Sequence, residues 1–273
     1  MTQSVPLTVP LSVNIDNHKL HYTDEGQGPV LFFIHGFLAD NTMWRPQIEQ
    51  LSQHYRCIAV DLWAHGQSEA MPTGTTSLIT IAEHCLALLS SLEIENCTVL
   101  GNGTGGAIAA EMVLSEPTKI SKLVLSNAFI GFEPQVNCAK YQGWIDQANE
   151  QKECSASLAE IVANKFFIAS QESEAKKALV NKLTNLSALQ IEQLALFSPL
   201  ALYKRDTLEL VEQFALPCLI MIGEQNQLRT MLEAYLMQDC ISGSQLVQIA
   251  NSGHFSNIEQ AEKVNQTLET FLR

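Results

Sequence analysis

Short blocks of alternating or continuously apolar residues fill the first third of the chain. LTVPLSVNI, KLHYTDE, PVLFFIHG and YRCIAVDLW each read as a strand, and EGQG and the Gly36 region supply turn signals between them. The period then lengthens. In TSLITIAEHCLALLSSL, residues Leu78, Ile81, Ala82, Cys85, Leu86 and Leu89 share one helical face, with Thr76 or Ser77 placed to cap it. The apolar run CTVL predicts a further strand. It leads through the glycine-rich GNGTGG into a small-sided helix, GAIAAEMVLSEP, that stops at Pro117. Later strands are predicted at KLVLSNA (122–128), CLIMIGE (218–224) and QLVQIA (245–250). A closing helix, IEQAEKVNQTLETFLR, carries the stripe Ile258, Ala261, Val264, Leu268 and Phe271.

Buried strands alternating with helices predict an α/β class fold, a mostly parallel central sheet with helices on both faces. Between Ala128 and Cys218 the alternation lapses. AKYQGWIDQANEQ, SLAEIVANKFFIAS, SEAKKALVNKLTN and SALQIEQLALF are amphipathic helix patterns with no strand among them. The expected organisation is a core made of residues 1–129 and 207–273, with residues 130–206 inserted as a helical cap.

Composition narrows the class of ligand. With 273 residues, 46% of them apolar, the chain can fill a large core. A net charge of −13, from 29 acidic and 16 basic residues, disfavours nucleic acid and anionic membranes as partners. A small apolar or amphipathic molecule is the expected partner. The seven cysteines are scattered and form no C-x-x-C pair, so neither a disulfide framework nor a zinc site is predicted. The remaining histidines share no metal-ligand spacing, and no cofactor or metal is expected. The N-terminus lacks the features of a signal peptide, and no apolar run is long enough to span a membrane, which makes a cytoplasmic location the expectation.

Candidate chemistry lies at the strand ends. HGF (35–37), DLWAHGQS (61–68), a G-x-x-x-G turn (101–105), GEQN (223–226) and GHF (253–255) occur in that order. In order and spacing they resemble the α/β-hydrolase fold family over nearly the whole chain, in particular members with an HG oxyanion loop and a helical cap. The resemblance implies a nucleophile elbow at 101–105, in which a tight strand-to-helix turn lifts its central residue into the site. Gly103 stands where the family has its nucleophile. His254 matches the general base, and Asn226 the acid that orients it. The backbone N–H groups of Phe37 and Thr104 match the oxyanion-hole donors, which need no particular side chain. An amide at 226 is expected to accept a hydrogen bond from the imidazole without stabilising its charged form. Glu224, Glu133 and Asp239 are the acids near relevant strand ends. Asn127 is a candidate polar residue facing the site, and Trp44 and Phe255 are candidate pocket walls. His35 and His65 are expected to brace the backbone.

Three readings follow. The chain is a hydrolase of small apolar esters, lactones or other acyl compounds in which Gly103 has replaced a serine, by engineering or by natural loss. Alternatively it is a natural pseudo-hydrolase that binds without turnover, or a lyase or isomerase using His254 as base without covalent attack.

Overall fold

The structure, a computed structural model, describes residues 11–273; residues 7–10 of the first predicted strand lie outside the described residues. Eight strands form one sheet: β1 (Leu11–Ile15), β2 (His18–Glu25), β3 (Val30–Ile34), β4 (Arg56–Val60), β5 (Cys97–Asn102), β6 (Ile120–Ser126), β7 (Cys218–Gly223) and β8 (Gln245–Ile249). Their spatial order is β1-β2-β4-β3-β5-β6-β7-β8. The first two strands make an antiparallel hairpin, and β2 pairs antiparallel with β4. All pairings from β4 across to β8 are parallel.

Continuous apolar runs form these strands because both faces of the sheet are covered. Residues two apart enter the same layer. Phe32, Ile34, Ile58, Val60, Val99, Leu123, Leu125, Ile220 and Ile222 pack on one side. Their neighbours Leu31, Phe33, Cys57, Ala59, Leu100, Val124, Leu219 and Met221 pack on the other.

Helices α1 (Arg45–Leu51), α2 (Leu78–Ser91) and α3 (Thr104–Ser115) follow β3, β4 and β5 in turn. Between β6 and β7 lie four helices and no strand: α4 (Gln135–Gln151), α5 (Ala156–Phe166), α6 (Glu174–Thr184) and α7 (Ala188–Leu202). Helix α8 (Met231–Cys240) follows β7, and α9 (Ser256–Glu259) and α10 (Ala261–Leu272) close the chain. The predicted face of α2 is buried, and the Ser77 hydroxyl accepts from the Thr80 N–H to cap it. The stripe from Ile258 to Phe271, predicted as one helix, is split in two. Gln260 adopts φ −131°, which ends α9 and starts α10 on a new axis.

Core and strand topology put one crevice at the carboxyl ends of the parallel strands. It opens where β3 lies between β4 and β5, the point at which connections run to opposite sides, and where ligands of open α/β sheets bind.

Candidate functional site

The loop after β5 makes the turn. Gly103 has φ 54° and ψ −118°, a conformation that L side chains rarely adopt, and it immediately precedes α3. Its N–H donates to the Ser126 carbonyl at 3.0 Å, and its own carbonyl accepts from the Gly106 N–H at 3.0 Å. Gly101 and Gly105 are required by close approach, since a Cβ at 101 would collide with the Gly105 carbonyl and one at 105 with the Ile34 carbonyl. The turn therefore has elbow geometry without a side chain at its apex.

His254 lies above that apex, on the loop between β8 and α9. A Cβ on Gly103 would sit 2.9 Å from His254 Nε2 and 3.4 Å from Cε1. The imidazole thus occupies the space into which a side chain at 103 would project. Its loop is held from three sides. Asn102 Nδ2 donates to the His254 carbonyl at 3.3 Å, the Phe255 N–H donates to the Phe166 carbonyl at the end of α5 at 3.0 Å, and Gly253 N–H donates to Glu259 at 2.7 Å. Phe166 also packs edge-on against the imidazole, with ring centroids 5.3 Å apart.

Asn226 reaches His254 with the opposite polarity from that expected. Its Oδ1 accepts from the backbone N–H groups of Leu228 at 2.9 Å and Arg229 at 3.1 Å. Those donors can face only an oxygen, so the NH2 group is turned inward. Nδ2 then meets Asn127 Oδ1 at 3.0 Å and His254 Nδ1 at 3.3 Å. Asn127 is itself oriented independently, because its Oδ1 accepts from the Gly223 N–H at 2.8 Å while its Nδ2 donates to Ser256 Oγ at 2.7 Å. An amide NH2 only donates, so Nδ1 of His254 must accept. This network assigns the ring proton to Nε2, the nitrogen over Gly103. The expectation that Asn226 accepts from the imidazole is therefore corrected: the two backbone donors in the following turn have claimed its oxygen.

Burial, with the nearby positive charge of Arg229, pushes the His254 pKa down to about 3. The ring is neutral at physiological pH, with Nε2–H as its free donor. Two more residues with unclaimed backbone N–H groups, Phe37 and Thr104, line the same cavity as His254. Thr104 N–H is at the first position of α3, where no intrahelical acceptor exists. Phe37 N–H follows the HG loop, and among the described residues neither amide donates to another backbone carbonyl.

That HG loop is braced as expected. His35 Nε2 accepts from Leu62 N–H at 2.9 Å while Nδ1 faces the Gly36 carbonyl at 2.7 Å. His65 does the same for the next residue, accepting from Leu38 N–H at 3.2 Å with its Nδ1 against the Trp63 carbonyl at 2.8 Å. Burial drives His35 down to about 4 and His65 well below the usual histidine range, so both are neutral braces.

Phe37, Gly103, Thr104 and His254 share one cavity of about 160 Å³, roofed by residues of the four helices between β6 and β7. Trp144, Leu158, Val162 and Phe166 make its apolar wall, while Glu133, Tyr141, Lys165 and Arg229 contribute its polar lining. Arg229 bridges Glu133 at 2.5 Å and Glu233 at 3.1 Å.

The three candidate ligand-facing residues, Trp44, Phe255 and Asn127, all fall outside this cavity, as does Asn226. Trp44 is fully buried against Phe33, with ring centroids 5.3 Å apart, because its turn points inward onto the sheet. Phe255 is buried between Phe166 and Phe167 and does not line the cavity. Asn127 does not touch the cavity and acts instead through Asn226. Glu224 accepts from Asn251 N–H at 3.1 Å in an exposed turn, and Glu133 is taken up by Arg229, so neither is the partner of His254. Asp239, in α8, likewise makes no contact with the imidazole among the described residues. Trp144 and Arg229 were not candidates in the sequence. Arg229 carried one signal, a lone cation three residues after Asn226, and that is equally what a surface loop offers.

Comparison with known proteins agrees with the fold. A family model described as alpha/beta hydrolase fold matches residues 29–261, and the chain belongs to that family. Among curated relatives, 3-oxoadipate enol-lactonase 1 of Acinetobacter baylyi is 26% identical over 248 residues, 90% of this chain and 89% of that protein. A thermophilic esterase from Thermogutta terrifontis superposes with a TM-score of 0.86 at 22% identity, covering 97% of this chain and 98% of that one. The esterase EaEST from Exiguobacterium antarcticum has a TM-score of 0.82 at 26% identity, covering 94% and 97%. No helix among the described residues is long and apolar enough to cross a membrane.

Proposed function

We propose that the chain is a natural pseudo-hydrolase, which binds a small, mostly apolar acyl or carbonyl compound in the cavity beneath its helical cap and does not turn it over through an acyl-enzyme. That relatives are an enol-lactonase and an esterase supports an acyl or carbonyl compound as the ligand. The observation that carries the proposal is the NH2 group of Asn226 facing His254 Nδ1. It leaves the lone pair a base requires on the wrong nitrogen. Proton abstraction from a serine, a water or a substrate carbon over Gly103 needs a free Nε2, and the network supplies an N–H there. This argues equally against a lyase or isomerase that depends on His254.

A hydrolase needing only a serine at 103 is the second reading. It is disfavoured because Asn127 presents an oxygen to position 226 at 3.0 Å, an arrangement suited to an amide and repulsive to a carboxylate. Loss of function at 103 alone does not account for that matched pair. The net charge of −13 favours a small molecule over nucleic acid or an anionic membrane as the partner.

The test is hydrolysis of aryl esters and enol-lactones, run beside ligand titration followed by the fluorescence of Trp144, which lines the cavity. Binding with hydrolysis no faster than a heat-denatured control is expected. Hydrolysis well above that control, abolished by His254→Ala, would sink the proposal.

A further inference from the structure

Resting on that non-covalent reading, we propose that the ligand is an apolar carboxylate, its two oxygens shared among Phe37 N–H, Thr104 N–H and His254 Nε2–H, with its tail along the Trp144 and Phe166 wall. The lone pairs decide between carboxylate and ester. An ester carbonyl oxygen has two, which two backbone amides can satisfy, leaving the imidazole N–H only the ester's alkoxy oxygen, a poor acceptor. A carboxylate has four and can meet all three donors. Donors also reward charge, since hydrogen bonds to an ionised acceptor are about twice as strong as neutral ones. A primary amide presents its own N–H groups to a set of donors and fits worst.

Two independent features favour an anion. His254, only 4% exposed, places its unpartnered Nε2–H beside Gly103, the N-cap of the 12-residue helix α3, whose N-terminus is the positive end of its dipole. In a chain of charge −13, the cavity wall also carries Lys165, bonded to the neutral Gln227 at 2.9 Å, its pKa lowered by burial and then by the nearby charge of Lys140. Lys140 itself sits 5.1 Å over the Trp144 ring. Among the described residues, neither lysine pairs with a carboxylate. Arg229 adds no net positive field, because it is paired with two carboxylates, Glu133 and Glu233, which together outweigh its charge.

No bond forms or breaks in this proposal, and the tautomer set by Asn226 does the selecting. Asn226 and Asn127 are thus positioning residues acting through His254.

The experiment titrates the full chain at pH 7.5 with 4-phenylbutyrate, 4-phenylbutyramide and methyl 4-phenylbutyrate. The carboxylate is expected to bind about tenfold or more tightly than either neutral compound, the difference expected for one charge-assisted bond. Lys165→Gln should weaken the carboxylate several-fold and leave the amide unchanged. His254→Phe should cut the preference several-fold, and His254→Gln, which keeps a donor, should retain more of it. Equal affinity for the carboxylate and the amide overturns the ligand class, as does failure of all three to bind. Release of methanol from the ester above the denatured control would overturn the non-covalent reading instead, which separates the two failures.

Discussion

Placing a serine at position 103 should not create an esterase. In Gly103→Ser the new Oγ lies beside His254 Nε2, but that nitrogen bears a proton because Asn226 donates to Nδ1. The hydroxyl then accepts a hydrogen bond and keeps its own proton. In a serine protease, replacing the triad acid by an amide costs about 10⁴ in turnover through this tautomer error, on the order of 5.5 kcal/mol of barrier. Adding Asn226→Asp returns an acceptor to Nδ1. It also sets a carboxylate against Asn127 Oδ1, where an N–H···O bond of 3.0 Å now lies, so part of the gain is lost. The double variant should exceed the single one by ~10²–10⁴ in kcat for p-nitrophenyl butyrate at neutral pH. A Gly103→Ser enzyme within tenfold of the double variant would refute the tautomer argument, since it would mean Nε2 is already free.

Other consequences are testable by stability. A side chain at 103 must hold φ 54° and press on the His254 ring, so Gly103→Ala should cost about 1–3 kcal/mol and lower Tm by several degrees in a thermal melt. Arg229→Met leaves the buried Glu133 carboxylate without its partner and should cost about 3–5 kcal/mol in a urea titration. Acid should weaken the fold from about pH 6.5 downward. His35, depressed to about 4, and His254, to about 3, bind protons in the unfolded chain before the folded one, so each removes stability as pH falls. The slope is about 1.4 kcal/mol per pH unit for each such histidine. Asp61, raised to about 6 by burial, opposes one of them between its folded and unfolded values. Denaturation midpoints that are flat from pH 7 to pH 5 would contradict the neutral assignment of these rings.

The strands and the elbow were legible because their causes are local. Apolar runs such as VLFFI and CLIMIG are long enough to be buried on both sides, and Gly101 and Gly105 mark backbone contacts that admit no Cβ. The polarity of the Asn226–His254 contact was not legible. It depends on the Leu228 and Arg229 amides and on Asn127, the last of them 99 positions away in the chain. Trp44 was misread for a related reason. An aromatic residue opening a helix near the HG loop has two faces available, and only the packing of Phe33 decides that it turns into the core. The cavity wall came from α4 and α5, whose amphipathic pattern serves packing and ligand alike.

The central claim is that His254 offers a proton over Gly103, where a hydrolase would offer a lone pair. The ¹⁵N chemical shifts of the His254 ring, read at pH 7.5 from long-range ¹⁵N–¹H correlations, test it directly. An unprotonated Nδ1 with a protonated Nε2 is the predicted result, and a protonated Nδ1 with a free Nε2 would contradict it.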